Sequence, residues 1–323
     1  MEIILAIDGG GSRTRCLAID RSGQILADIV SGPSNHLLID GEIVKQSLAE
    51  AIDQALDRSK ATRADVIFLS AGLAGVDFDG TGAPEMETLL RELGYEKVLI
   101  NGDIVIAHAG ALALKPGVIA LAGTGSAFFG VGLDGERVKV GGWGPIYGDE
   151  GSAYRIGQLA LRGAASGYDG RGPETALTVE LPRALGLAEF RETVSRIYVG
   201  GMESREIAAL SRVAYEVAEA GDEVARNLFF HAGEELAEGV EATIRRLKLG
   251  EREVPVSYQG SVVDSCRLLR DRFVERLGRT APNCKVVPPR FEPVIGAYLL
   301  GRKALGLEMD NGVFAALRRN ERR

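Results

Sequence analysis

The chain of 323 residues is too long for one ordinary hydrophobic core and suits two domains of about 150 residues each. Hydrophobic residues make up 46% and charged residues 26%, a balance typical of globular rather than disordered proteins. The formal net charge of −7 disfavours a nucleic-acid partner or an anionic membrane surface, since both require basic patches. A local pocket of N–H donors could still bind phosphate.

Cysteine content and hydropathy indicate where the protein works. The three cysteines are sparse and form no CxxC pair, which favours a reducing compartment. The apolar run near the N-terminus lacks a basic start and is too short for a signal peptide. The longest apolar stretch, 104–114, contains His108 and is too short to span a bilayer. We therefore expect a cytoplasmic protein with no membrane partner.

The first thirty residues predict three short strands. An apolar strand at 3–7 is followed by a Gly-rich turn at 8–13 and a second strand at 14–19. After a turn at 21–23, a third strand is predicted at 24–30. The Gly and Ser residues supply the positive φ angles that tight hairpin turns need.

The same layout returns in the middle of the chain. Strands are predicted at 118–121, 127–132 and 137–140, and a Gly-rich turn at 123–126 separates the first two. Such self-similarity indicates two copies of one supersecondary unit and hence two related domains.

Helices and strands alternate between the copies and after them, which predicts an α/β layer fold. An apolar helical face runs from Ile43 to Leu56. We place the domains at 1–115 and 116–323, and we expect a last helix at about 292–305 to pack back on the first domain. The other predicted elements are strands at 65–69, 97–100 and 254–258, and helices at 84–93, 152–166, 203–219, 222–248 and 264–277.

Each of the two Gly-rich turns lies between apolar strands, where backbone N–H groups can approach a phosphate closely. Asp8 stands just before the first turn, and an acid there makes sense if it holds a metal cation. A single Gly-rich hairpin is more often structural than functional, but the repetition weakens that interpretation. The hydroxyl residues at matching places of the two turns are Ser12, Thr14, Thr124 and Ser126.

A third turn, at Gly260 and Ser261, follows the predicted strand at 254–258. Taken alone it is only a strand-to-helix turn. No segment fits GxxxxGK[ST], so a P-loop is absent from the sequence, and none fits GxGxxG after a strand, which disfavours a dinucleotide-binding domain.

Asp103 follows the predicted strand at 97–100 and precedes a helix. Ligands of α/β sheets gather at the carboxyl ends of strands, where an acid can serve as general base for an attacking hydroxyl. The competing interpretation is that Asp103 only caps the helix.

The stretch 141–154 combines five glycines, the only tryptophan and the adjacent acids Asp149 and Glu150. It could be a capped helix start, with Asp149 or Ser152 as the cap. So many glycines beside an aromatic residue and acids also suit a close-fitting polar pocket, since carboxylates accept hydrogen bonds from sugar hydroxyls.

Together these motifs resemble a known family. Asp8–Ser12, Ala122–Ser126 and Gly260 look like the two phosphate loops and the adenosine loop of the sugar-kinase, heat-shock-70 and actin superfamily. The segments 142–144 and 148–154 are similar to the signature of N-acetylglucosamine kinases, within the BadF/BadG/BcrA/BcrD ATPase family. Further similar segments are 31–35, 71–75 and 292–297.

The resemblance implies an α/β protein of two ribonuclease-H-like (actin-like ATPase) domains flanking a cleft that holds ATP and Mg²⁺. It implies phosphorylation of N-acetylglucosamine or a related amino sugar, with Asp103 as catalytic base and Asp8 and Asp103 as metal ligands. The implied ATP and phosphate contacts are Gly10, Gly11, Ser12, Arg13, Thr14, Thr124, Gly125, Ser126, Gly260 and Ser261. The implied sugar contacts are Asn35, Gly72, Asp103, Thr124, Gly142, Trp143, Asp149 and Ala153.

Three departures from the family pattern leave the identity of the sugar open. Arg13 stands where Lys is usual, Arg155 where Trp is frequent, and 145–147 differ from the usual residues. The acceptor could be N-acetylglucosamine, glucosamine, N-acetylmuramic acid or glucose. A homodimer is expected by analogy with similar kinases.

Two other functions compete with the kinase function. The same family includes ATPase activators of 2-hydroxyacyl-CoA dehydratases and benzoyl-CoA reductases, which hold an iron–sulfur cluster with cysteines at a dimer interface. Cys16 is predicted in a strand, where a core thiol is expected, and Cys266 and Cys284 are far apart in the sequence. A degenerate sugar or nucleotide sensor is disfavoured by the presence of both Asp8 and Asp103.

Overall fold

The computed structural model describes residues 1–250 and 252–320. The chain divides into two compact units, one made of Met1–Pro116 with Pro288–Arg323 and the other of Gly117–Val287. Each unit contains one five-stranded mixed sheet with helices against it, which confirms the predicted α/β class. The domain limits drawn from the sequence, 1–115 and 116–323, stay a prediction.

The sheet of the first unit is centred on β1 (Ile3–Gly9). This strand pairs antiparallel with β2 (Thr14–Asp20) and parallel with β4 (Val66–Leu73). The outer strands are β3 (Ile25–Ser31) and β5 (Val98–Gly102), which gives the order β3-β2-β1-β4-β5. Because β1, β4 and β5 are parallel, their carboxyl ends meet at one edge of the sheet.

The sheet of the second unit repeats this arrangement. Its central strand β6 (Gly117–Ala122) pairs antiparallel with β7 (Ser126–Val131) and parallel with β9 (Val254–Gln259). The outer strands β8 (Arg137–Gly141) and β10 (Cys284–Val286) complete the order β8-β7-β6-β9-β10. The internal repeat predicted from the sequence is thus a repeat of sheet topology.

Helices cover both faces of the first sheet, which explains why β1 is apolar along its length. Ile3 and Leu5 belong to the core cluster that contains α1 residues, whereas Ile4 and Ala6 pack with residues of α11. The helices are α1 (Gly41–Ser59), α2 (Ala83–Glu92), α3 (Asp103–Ala111), α4 (Ala153–Tyr168), α5 (Leu177–Ala184), α6 (Thr193–Tyr198), α7 (Ser204–Glu219), α8 (Glu223–Arg246), α9 (Ser261–Ser265), α10 (Arg267–Thr280), α11 (Pro293–Ala304) and α12 (Asn311–Asn320).

The structure differs from the sequence-based elements in two respects. The helix predicted at 264–277 is interrupted at Cys266, whose φ of −96° and ψ of 101° are extended and separate α9 from α10. The short helices α5, α6 and α12 and the strand β10 were not predicted, because one to three turns of helix, or three residues of strand, give too few apolar repeats to reveal a period.

Candidate active site

The first Gly-rich turn connects β1 to β2 and presents its tip, residues 11–13, to solvent. The Gly10 N–H donates to the Arg13 carbonyl at 2.9 Å and closes the turn. Beneath it, the buried Thr14 hydroxyl donates to the Ser34 hydroxyl at 2.7 Å, and the Ser34 N–H donates to the Gly10 carbonyl at 2.9 Å. Thr14, predicted to contact phosphate, therefore places its hydroxyl inside the protein and supports the turn from below.

Asp8 ends the apolar run of β1, directly before this turn. The pKa of its carboxyl is raised from 3.8 to about 6, chiefly by burial and next by the nearby Asp103 carboxylate, while Arg13 and Arg15 oppose the rise. A partly buried carboxylate with a raised pKa is stabilised by any cation that binds it. Mg²⁺ is held in proteins by one or two carboxylates plus substrate phosphates, so the chemistry of Asp8 and Asp103 fits this ion.

Asp103 is the first residue of α3, directly after β5. Gly102 occupies the cap position, and an Asp103 carboxylate oxygen accepts the Ile104 N–H at 2.7 Å. In the sheet, Gly72 of β4 pairs with Asp8 of β1 on one side and with Asn101 of β5 on the other. The N-cap of α3 is therefore Gly102 rather than Asp103, and the charge of Asp103 acts on Asp8 across β4, the strand between β1 and β5.

Gly72 leaves room for α3 to pack over the sheet. A Cβ atom there would lie 2.3 to 2.6 Å from three side-chain carbons of Ile106. We expect Gly72→Ala to destabilise the protein by about 1–3 kcal/mol, the usual effect of overpacking, and to displace α3 together with Asp103. Ile106→Ala, which removes the clashing atoms, should restore part of the activity of Gly72→Ala when the two are combined, as measured by kcat and thermal melting. No recovery in the double variant would contradict this role of Gly72.

Asn35 lies in the loop after β3, and its side-chain oxygen accepts the Leu37 N–H at 3.1 Å. A Cβ atom on Gly75 would lie 2.9 Å from the same oxygen, so the loops that follow β3 and β4 are neighbours. The adjacent His36 has its Nδ1 atom buried without a hydrogen-bond partner among the residues that the structure describes. The predicted sugar contact at Asn35 thus lies in an ordered polar loop of the first unit.

The second Gly-rich turn is tied to the start of α4 by backbone hydrogen bonds. The Ala153 N–H donates to the Gly123 carbonyl at 2.9 Å, and the Tyr154 N–H donates to the Thr124 carbonyl at 3.1 Å. The Ser126 hydroxyl donates to the Glu150 carbonyl at 2.7 Å. The turn at 123–126 and the loop at 149–154 therefore form one rigid element, although the sequence separates them.

Asp149 joins these two segments through its side chain. Its carboxylate accepts the Ser126 N–H at 3.1 Å, and a Cβ atom on Gly125 would lie 2.7 Å from the same oxygen. Burial raises the pKa of Asp149, while the bond from Ser126 opposes this rise. Asp149 also has a left-handed φ of 61°, rare for a residue with a side chain. Ser152, not Asp149, caps α4, since its hydroxyl accepts the Arg155 N–H.

A cavity of about 240 Å³ opens beside this element, within the second unit. The third turn closes one side of it: Gly260 has a φ of 123°, and a Cβ atom there would lie 2.4 Å from the Ala122 carbonyl oxygen. The Gly260 N–H donates to the Asp264 carboxylate at 3.1 Å. The lining combines hydroxyls, an aromatic ring and a guanidinium, and includes Thr124, Ala153, Arg212, Tyr215, Phe229 and Ser261.

Trp143 lies in the loop between β8 and α4, next to Gly142. The residue is 64% exposed, and its indole stacks on the Tyr147 ring, with ring centroids 6.2 Å apart. The structure thus presents a flat aromatic surface at the position predicted to contact sugar.

Two features of the site escaped sequence analysis. Arg15 of β2 donates to Asp28 at 2.9 Å and to Glu292 at 2.8 Å, and Arg15 and Glu292 both act on Asp8 electrostatically. Glu235 of α8 accepts a hydrogen bond from the Gly151 N–H. Glu292 lies in a segment that resembles the family, but nothing in the sequence pairs it with Arg15 or pairs Glu235 with Gly151, because these partners are 277 and 84 residues apart.

The profile of the BadF/BadG/BcrA/BcrD ATPase family matches residues 5–301. The chain belongs to this family. It is 31% identical over 303 residues to the N-acetylmuramic acid/N-acetylglucosamine kinase of Clostridium acetobutylicum, covering 94% of this chain and 99% of that protein. It is 30% identical over 310 residues to the N-acetyl-D-glucosamine kinase of Dictyostelium discoideum, covering 93% of this chain and 97% of the relative.

Among solved structures, this chain is similar to a Chromobacterium violaceum protein assigned provisionally as an N-acetylglucosamine kinase. The TM-score is 0.75 and the identity 25%, over 93% of this chain and 98% of that one. These similarities confirm the predicted membership and the actin-like ATPase fold. The roles assigned to individual residues stay predictions.

Within the described residues, no group of three or more His, Cys, Asp and Glu side chains is arranged to hold a metal ion. The chemistry of Asp8 and Asp103 fits an Mg²⁺ ion that is bound by two carboxylates together with the phosphates of a nucleotide.

Proposed function

We propose that this protein is an ATP-dependent kinase that phosphorylates a hydroxyl of an amino sugar, with N-acetylglucosamine as the first candidate. The observation that carries the proposal is the pair of interacting acids Asp8 and Asp103 at the carboxyl ends of parallel strands. Both named relatives that align with nearly the whole chain are kinases of N-acetylated amino sugars.

Asp103 is assigned as the general base. It follows β5 at the edge of the sheet where substrates of α/β proteins bind, and its negative charge contributes, after burial, to the raised pKa of Asp8. A carboxylate so placed can accept the proton of a sugar hydroxyl as that oxygen attacks the γ-phosphorus of ATP. Most of the remaining catalysis would come from positioning and from neutralising charge.

Asp8, together with Asp103, is assigned to hold Mg²⁺ when MgATP is bound. The ion supplies charge neutralisation at the phosphates during phosphoryl transfer. The protein contributes a carboxyl whose burial disfavours its charged form in the absence of a cation.

The two Gly-rich turns and the cavity of the second unit are assigned to the nucleotide. Turn residues such as Gly11 and Gly125 leave backbone N–H groups accessible to phosphate oxygens. The 240 Å³ cavity lies against both Thr124 and Ser261, so it suits a nucleoside that extends from a phosphate-binding turn. Asn35, Trp143 and Asp149 are the proposed sugar contacts.

The proposal is tested by measuring ADP release from MgATP without sugar and with N-acetylglucosamine, glucosamine, N-acetylmuramic acid or glucose at equal concentrations. We expect strong stimulation by N-acetylglucosamine and a weaker response to the others. Rejection of a substrate that lacks a hydrogen-bonding group can reach about 10⁴-fold where the site pairs with that group. An ATPase rate unaffected by every sugar would overturn the proposal.

The alternative, an ATPase activator with an iron–sulfur cluster between subunits, finds no support in the cysteines. Cys16 and Cys266 are only 0% and 3% exposed, and burial raises the pKa of their thiols to about 12 and about 11. Cluster ligands must be thiolates at the shared interface, so buried thiols of this kind do not suit the role. Absorbance typical of an iron–sulfur cluster after anaerobic purification would support the activator function instead.

One further finding and one further expectation belong with the proposal. No helix among residues 1–250 and 252–320 is long and apolar enough to cross a membrane. The expected homodimer stays a prediction, which light scattering on the purified protein would check.

A further inference from the structure

Glu235 is a buried acid of α8 that contacts the loop at 149–155 of the candidate site but is not itself one of the predicted site residues. Only 9% of the residue is exposed. One carboxylate oxygen accepts the Gly151 N–H at 2.8 Å, and the other accepts the Arg155 Nε–H at 3.2 Å. The His231 ring, one turn earlier on α8, lies 3.1 Å from this second oxygen.

The loop is also pressed directly against α8 at this point. Gly151 has a φ of 73°, and a Cβ atom there would lie 2.5 Å from Leu236 and 2.7 Å from the Ala232 carbonyl oxygen. Only glycine can occupy this position without strain. The Glu235 carboxylate therefore reaches a backbone N–H that any side chain at residue 151 would push away.

Through this contact, Glu235 fixes groups assigned to the reaction. Gly151 lies two residues after Asp149, whose carboxylate accepts the Ser126 N–H, and two before Ala153, whose N–H donates to the Gly123 carbonyl. Arg155 is held as well, since its guanidinium also donates to Gln158 at 3.0 Å. One buried carboxylate thus anchors the loop at 149–155, and that loop holds the second Gly-rich turn.

We propose that Glu235 is a positioning residue for phosphoryl transfer: it sets the loop at 149–155, and through it the turn at 123–126, in the geometry that binds sugar and phosphate. This inference rests on the proposed kinase function for its kinetic consequence. A buried acid with three partners is a costly feature to retain unless those partners need it, because desolvating a carboxylate is unfavourable. Glutamine in its place has one acceptor oxygen for these two donors, so its NH2 group would face either the Gly151 N–H or Arg155 and leave that donor without an acceptor.

The test compares Glu235→Gln with the matched control Glu234→Gln in the full-length protein. Glu234 precedes Glu235 on α8 but forms ion pairs with Arg272 and Arg276 of α10, away from the loop. For Glu235→Gln we expect kcat/KM for the sugar to fall about 10- to 100-fold, as expected for a small misplacement of reacting groups. Glu234→Gln should lower the melting temperature and leave kcat and KM unchanged.

Hydrogen–deuterium exchange supplies a measurement that does not depend on activity. In Glu235→Gln, amides in peptides covering 121–128 and 148–156 should exchange faster than in the wild type, whereas Glu234→Gln should leave these peptides unchanged. Arg155→Gln keeps the hydrogen bond from the Gly151 N–H to Glu235, so it should accelerate exchange less. It also provides a test of the proposal if Glu235→Gln does not fold.

The outcomes separate the two proposals. If the wild type shows no sugar-dependent ADP release, the kinase function fails, and the exchange data still decide whether Glu235 anchors the loop. If the wild type is active, unchanged kcat/KM in folded Glu235→Gln protein would overturn the positioning role. Exchange that is no faster than in Glu234→Gln would overturn it as well.

Discussion

Replacing Asp103 with asparagine is expected to lower kcat by about 10²- to 10⁴-fold, the usual contribution of a positioned general base. Asparagine keeps the size of the side chain and can still accept the Ile104 N–H, but it cannot take a proton from the sugar hydroxyl. The sugar KM should change little, because proton transfer occurs only in the transition state. Steady-state kinetics with MgATP and N-acetylglucosamine measure both quantities.

Loss of folding would not account for such a decrease. An acid in the first turn of a helix contributes about 0.3–1 kcal/mol through the helix dipole, a small part of the 5–15 kcal/mol typical of a folded protein. Removing the charge at residue 103 also relieves its repulsion with Asp8. Asp57→Asn, on the exposed face of α1, serves as the matched control. Activity of Asp103→Asn within threefold of the wild type would remove Asp103 from the role of base.

The pairing of Asp8 with Asp103 follows from features that a sequence displays. Asp8 ends the apolar run of β1, Asp103 comes directly after β5, and carboxyl ends of parallel strands meet at one edge of a sheet. The Gly-rich turns are similarly visible, because tight hairpins need specific residues and the motif occurs twice. Local chemistry and repetition are therefore enough to predict most of the strands, the two Gly-rich turns and the places of the two candidate acids.

The remaining features depend on contacts between distant segments. The buried Thr14 hydroxyl is directed to Ser34, twenty residues away, and only the packed hairpin shows this. The bond between Glu235 and Gly151 joins residues 84 apart, and α8 carries many other acids with no distinguishing pattern. The break at Cys266 is equally hidden, since an extended backbone angle at a single residue leaves the apolar period unaltered. Propensity and periodicity carry no information on such pairings.

Replacing Asp8 with asparagine is expected to abolish most of the kinase activity and yet make the nucleotide-free protein more stable at neutral pH. Burial and the Asp103 carboxylate raise the pKa of Asp8 from 3.8 to about 6, so its charged form is disfavoured in the folded state. Two pKa units correspond to about 3 kcal/mol at neutral pH, which asparagine would recover because it carries no charge. The same change removes a proposed ligand of Mg²⁺.

The pH dependence follows from the direction of this shift. Between about pH 4 and pH 6 the folded protein binds more protons at Asp8 than the unfolded chain does, so the contribution of Asp8 to the stability of the wild type falls as pH rises through this window. The gain in Asp8→Asn should thus be near its maximum at pH 7.5 and vanish at pH 4, as measured by calorimetry without nucleotide at both values. MgATP should then stabilise the wild type more than the variant, because only the wild type offers the carboxylate. Equal stability of the two proteins at pH 7.5, or equal stabilisation by MgATP, would contradict the assignment of Asp8 as a carboxylate whose charge destabilises the fold until a cation binds.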